Sequence, residues 1–144
     1  MRILAFLSIF ILINCSEPKT PTVPGSPPSI LLGNFEDDYG ITYTISDSLF
    51  TMEEHTIVHI SEWNLEERYF IGQNDSLNQY DPLLYTRIDW MTFEGMEPFM
   101  WGFCMTAYNA SSADSARTIQ APDRENPKTG CSNFPFSRMK RTTK

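Results

Sequence analysis

Ile41-Thr42-Tyr43-Thr44-Ile45 alternates apolar and polar side chains without a break, which predicts a strand with one face in a core and one in water. His55–Ile60 is short and β-branched. Arg68–Ile71 is apolar and runs into Gly72-Gln73-Asn74-Asp75, whose residue types make turns. Leu84–Trp90 predicts a further strand. Phe99–Tyr108 follows a turn at Glu94-Gly95 and is apolar on both parities, as expected of a central strand covered on both faces. Spacings of about eight to fifteen residues between strands suit antiparallel hairpins in a meander. Ser111 or Ser112 can cap one short helix, with Asp114 in its first turn and Arg117 at its end. Ala121–Gly130 then reads as loop. The expected fold is mainly β: a small antiparallel β-barrel or bent meander sheet, with one short helix near 111–117.

The N-terminus has a different pattern. After Arg2, Ile3–Ile13 is an apolar run of eleven residues broken only by Ser8. As a helix it reaches roughly 16 Å, about half of a ~30 Å hydrocarbon core. That is short for a resident membrane span and suits a secretory signal peptide over residues 1–14. The run ends in Leu12-Ile13-Asn14-Cys15, which resembles the lipobox of bacterial lipoproteins, an aliphatic residue three positions before a cysteine. Asn14 stands where that pattern usually has Gly, Ala or Ser. The resemblance implies cleavage before Cys15, lipidation of its thiol, and the lipid bilayer as a partner held through the acyl chains. It places the protein in the bacterial cell envelope, exported and lipid-anchored, with the outer membrane as the expected site. The alternative is an ordinary signal peptide cut elsewhere, with Cys15 a spare thiol.

Residues 16–29 hold five of the ten prolines. Proline lacks an N–H and has a fixed φ, so residues 15–29 read as an extended tether, roughly 40 Å long at ~3.1 Å per residue. A single domain is expected over 30–137, with 17 acidic and 5 basic residues. The whole chain has 144 residues and a net charge of −7, which argues against nucleic acid as a partner, because affinity there comes from neutralising phosphates. Residues 138–144 carry four positive charges and no negative one, and read as a basic, solvated tail. The alternative is attraction to anionic lipid or to the acidic domain itself.

Without Cys15 two cysteines remain, Cys104 and Cys131. An even count in an exported domain predicts a disulfide, and closing a loop of about 28 residues contributes roughly 3–4 kcal/mol. A metal would need further ligands at short spacing, and neither cysteine has them. His55 and His59 lie about 13 Å apart on a strand, too far to share one ion. Glu36-Asp37-Asp38 lacks the spacing of an EF-hand. No catalytic residue, metal ligand or cofactor is assigned. The densest polar constellation is Asn74, Asp75 and Asn78, followed by Arg87 and Asp89 on one face of a strand. It reads either as a polar pocket for a carboxylate or sugar, or as an internal network that fixes turn and register. Trp63, Trp90 and Trp101 with Phe93, Phe99 and Phe103 either fill the core or line a cavity.

Ile71-Gly72-Gln73-Asn74-Asp75, Leu84–Trp90, the strand with Cys104 and Tyr108, and Asp123–Ser137 together resemble a family of small bacterial lipoprotein domains with no established activity. The resemblance implies export and a single domain, and assigns no catalytic residue. Gly33-Asn34-Phe35 resembles the opening Gly-x-Trp of lipocalins, with Phe in place of Trp. Three functions are open: a non-enzymatic interaction module, whose acidity favours basic partners; a lipocalin-like barrel for a small hydrophobic or sugar ligand; and a hydrolase-type enzyme using Asp89, His59 or Glu53.

Overall fold

A computed structural model describes residues 25–142. Eight strands form one closed antiparallel barrel in chain order: β1 (Gly33–Asp37), β2 (Thr42–Ile45), β3 (Leu49–Met52), β4 (Thr56–Asn64), β5 (Tyr69–Asn74), β6 (Tyr85–Thr92), β7 (Trp101–Ala110) and β8 (Ser137–Arg141). The single α-helix among the described residues, α1 (Ala113–Arg117), begins at Ser112, whose hydroxyl accepts from the Ser115 N–H while the Ser115 hydroxyl accepts from the Ser112 N–H. This is the mainly β barrel with one short helix that the hydrophobic pattern predicts. β7 is buried on both faces over Trp101–Cys104, as its two apolar parities predict.

Three strands are absent from the pattern reading, each for a physical reason. β3 is only four residues long. β1 buries Phe35 but also Asp37, which accepts from the Tyr39 and Ile41 N–H groups and from the Tyr43 hydroxyl. Burial, and then Asp37 itself, push the Tyr43 hydroxyl pKa far up, so it stays a donor. β8 reads Ser-Arg-Met-Lys-Arg, with Met139 its one fully buried side chain. Residues 138–141 are therefore not the start of a solvated tail. They close the barrel against β1, and their charges are used locally: Arg138 pairs with Asp38 and Lys140 with Glu36, each at 2.9 Å. A strand whose outward positions are all basic shows no apolar alternation, so its composition hides it.

Inward positions fill the barrel. Phe35 meets Trp101 edge-on at 5.3 Å between centroids, and Trp63 lies 4.7 Å from Phe70. Each fully buried side chain of this kind contributes about 1.5–3 kcal/mol. Trp63, Trp90, Trp101 and Phe103 thus belong to the core. Phe93 and Phe99 do not. The Phe93 ring lies against Gly102, where an added Cβ would come within 2.8 Å of it, and Arg138 stacks on Phe99 at 4.6 Å.

The two ends differ. At the base, the chain arrives beside Leu65 and makes a 3₁₀ turn (Ser29–Leu31) that seats Leu31 at 1% exposure. Arg141 fastens this plug, donating to the Ser29 and Leu32 carbonyls at 3.1 and 3.0 Å. At the opposite end, between the β3–β4 turn and the 75–84 loop, no such plug is present among the described residues.

Candidate functional site

β6 divides the polar constellation in two. Its period of two turns Thr86 and Ile88 into the barrel and Arg87 and Asp89 outward. Outward here does not mean exposed: Arg87 is 1% and Asp89 0% accessible, because residues 111–136 run down the outside of β5–β7 as a strap. Arg87 donates to both Asp89 oxygens, from Nε at 2.8 Å and Nη2 at 2.9 Å. Its Nη1 donates to the carbonyls of Ala116, Arg117 and Ile119 at the end of α1, where backbone acceptors are left over and the helix dipole is negative. The guanidinium also stacks on Tyr69 at 4.1 Å.

Asp89 accepts two further bonds, from Thr106 Oγ1 at 2.5 Å and Arg124 Nη2 at 3.0 Å. Arg124 donates to the Glu67, Arg68 and Trp90 carbonyls as well, joining the strap to the β4–β5 loop. Burial pulls the Arg124 pKa down, and Asp89 opposes that shift. The Cys104–Cys131 disulfide fixes the strap a second time, with Cα atoms 5.5 Å apart. Arg87 and Asp89 therefore hold helix to wall, with their hydrogen-bonding capacity spent inside the fold.

The three other constellation residues lie elsewhere. Asn74 donates to the Asp81 and Tyr108 carbonyls at 2.8 and 2.9 Å and accepts from Thr86 Oγ1 at 2.6 Å. Asn78 pairs with both backbone groups of Ile57. Asp75 bonds His59 Nε2 at 2.7 Å and accepts from the Leu77 N–H; these contacts, His59 first, hold its carboxyl below the ordinary range. All three shape the 75–84 loop, and none touches Arg87 or Asp89 through a hydrogen bond. Of the residues weighed for hydrolytic chemistry, His59 bonds Asp75, Asp89 is enclosed under the strap, and Glu53 sits in the β3–β4 turn.

What the 75–84 loop shapes is the open end of the barrel. A cavity of about 360 Å³ is lined there by Met52, Val58, Thr86, Met105, Tyr80 and Tyr108, with Asp81 at its side. Tyr80 is 74% and Tyr108 55% exposed, while Leu77 and Leu83 on the same loop are 90% and 58% exposed. These side chains are the surface that pattern reading misses. The signal is present, since Leu77, Tyr80 and Leu83 interrupt a run of Asp, Ser, Asn, Gln and Pro, but a loop has no periodicity to make it stand out.

Asp81 lines this mouth, whereas Glu53 and Glu54 line a separate recess with Asn34, Tyr43, Thr44 and Thr51. Glu53 and Glu54 lie in the turn that joins Met52 to Thr56, and Asp75 and Asp81 lie on the loop; neither segment carries Lys or Arg. Glu53 and Glu54 have φ of 51° and 61°, a left-handed backbone that costs a side-chain-bearing residue about 1–2 kcal/mol. Asn and Gly are the usual residues for such a turn.

Among the described residues no three His, Cys, Asp or Glu side chains are grouped to hold a metal ion. Cys15 lies outside the described residues. No protein-family model, curated protein or solved structure matches the chain.

Proposed function

We propose that this chain is an exported, lipid-anchored protein of the bacterial cell envelope, and that its disulfide-bonded barrel is a docking module rather than an enzyme. The observation that carries this reading is the unfilled apolar mouth, placed at the end of the barrel away from the arriving chain. Exposed large apolar side chains gathered at one end mark an interaction site. An anchor on Cys15 would reach the domain at its base, and the mouth would face away from the bilayer. The lipobox-like Leu12–Cys15 and the proline-rich tether support the anchor.

Two measurements in intact cells test it. A fatty-acid analogue should label the wild-type chain and not Cys15→Ala. A photoreactive side chain replacing Tyr80 should form an adduct, while one replacing Glu66 at the base should not. An unprocessed cytosolic product with reduced thiols, or equal adducts from both positions, overturns the reading.

A second reading is a small apolar ligand in the mouth, favoured by a cavity volume within the ~300–1,000 Å³ of small-molecule sites. A deep lipocalin-like calyx does not fit, because Trp63, Trp90, Trp101 and Phe103 occupy the interior.

A further inference from the structure

We infer that a second recess, beside the barrel wall where the strap runs into β8, binds a small apolar carboxylate, an aryl or short alkyl group bearing one acid. This site is separate from the mouth and does not depend on the docking reading. Its volume is about 410 Å³, within the ~300–1,000 Å³ of small-molecule sites. Three segments wall it. The β1–β2 turn brings Tyr39, the 93–100 loop brings Phe93 and Met96, and the strap brings Phe136. Phe136 is buried, while most of Tyr39 stands in water. The walls are fixed before any ligand arrives: the Phe136 N–H donates to the Pro127 carbonyl at 2.9 Å, and Asp37 accepts from the Tyr39 N–H at 2.8 Å. A recess already in shape loses little entropy when it is filled.

The acid follows from two cations that line the same recess, Lys128 and Arg138. Arg138 spends its Nε on Asp38 at 2.9 Å and stacks on Phe99, and its two Nη groups have no hydrogen-bond partner among the described residues. Lys128 has neither an ion pair nor a side-chain hydrogen bond among them. Asp38 is the one carboxylate of the lining, and Arg138 already holds it through Nε and the backbone N–H. Three other recesses have the reverse composition: Asp81 lines the mouth, Glu53 and Glu54 a recess against β2, and Asp123 a recess beside the disulfide, and none of the three is lined by Lys or Arg. Arg68, which also has no ion pair among the described residues, stands in the β4–β5 turn and lines none of these recesses. On a chain of net charge −7, an acid with an apolar body finds unspent donors and an aromatic wall together at Lys128, Arg138 and Phe93. A guanidinium fork matches a carboxylate in geometry as well as charge. A sugar would instead set hydroxyls against Phe93, Met96 and Phe136, which offer them no hydrogen bond.

The test uses the full chain in a nanodisc of neutral lipid, with its methionine methyl groups labelled with carbon-13 and their resonances assigned by Met→Leu replacement. The probes are 1-naphthylacetate and its neutral isostere 1-naphthylacetamide, compared at equal free concentration. The ring of a bound probe should shift the Met96 methyl resonance and leave those of Met52 and Met105, at the mouth, in place. The acid should bind roughly fivefold more tightly than the amide, as expected of exposed charge contacts. Lys128→Gln should weaken the acid roughly two- to fivefold and leave the amide unchanged. Tyr39→Ser removes one aromatic face and should weaken both probes roughly two- to tenfold. Both side chains are exposed, so the circular-dichroism melting curve of each variant should stay in place. Equal affinity for acid and amide overturns the carboxylate. Shifts at Met52 and Met105 in place of Met96 move the probe to the mouth and overturn this site, as does the absence of any shift at Met96.

Discussion

The outer face of β6 and the mouth invert the usual placement of residue types. Under the strap, Arg87 and Asp89 are enclosed, and their bonds go to one another, to Arg124 of the strap and to backbone carbonyls. At the mouth, leucine and tyrosine stand in water. One strand serves both regions, through Arg87 on one side and Thr86 on the other. A polar cluster dense in sequence can therefore be wholly structural. Function is better sought where apolar groups remain unsatisfied.

The contrast predicts opposite results from mutation. Asp89→Ala should have the largest effect: it leaves Arg87 buried without its counter-charge, and loss of one partner of a buried pair costs about 3–5 kcal/mol. Urea denaturation should show that loss, while adduct formation from position 80 by the remaining folded protein is unchanged. Cys104→Ser with Cys131→Ser should cost roughly 3–4 kcal/mol by loop entropy, again without altering the mouth. Glu54→Gly should instead stabilise the fold by about 0.5–1 kcal/mol, as relief of the left-handed backbone exceeds glycine's extra freedom when unfolded.

The smallest effect concerns Asp75. Its carboxyl is depressed in the fold, so its contribution is present above the unfolded pKa of about 3.9 and lost as pH falls through the folded value. Asp75→Asn should therefore be less stable than wild type at neutral pH and indistinguishable from it in strong acid, where both side chains are neutral. A difference that persists in acid would assign Asp75 a role other than its charge.

Much of the barrel was legible because its central strands repeat with period two. The alternation at 41–45 and the double apolar parity at 99–108 each reflect which sides of the strand are covered. β1 and β8 were not legible, since each buries few apolar side chains and depends on the other for its place. Arg87 and Asp89 were readable as neighbours on one face. Their other partners were not: the carbonyls ending α1 and the Arg124 side chain lie about 30 to 35 residues away, and only the folded strap brings them in. The mouth escaped for a different reason. Asn74 and Asn78 marked its location, but their amides position the loop while Tyr80 and Leu77 present the surface.

The seam between β1 and β8 sets when this molecule can become a cylinder. Asp38 and Arg138, which meet across it, are a hundred residues apart. A chain that leaves the ribosome with its front end leading must hold seven strands as a curled ribbon with two bare edges until Ser137–Arg141 arrives. Bare edges recruit other chains. Trimming just ahead of Ser137 would leave the ribbon permanently unzipped, and its natural partner would then be a neighbouring copy in the same condition.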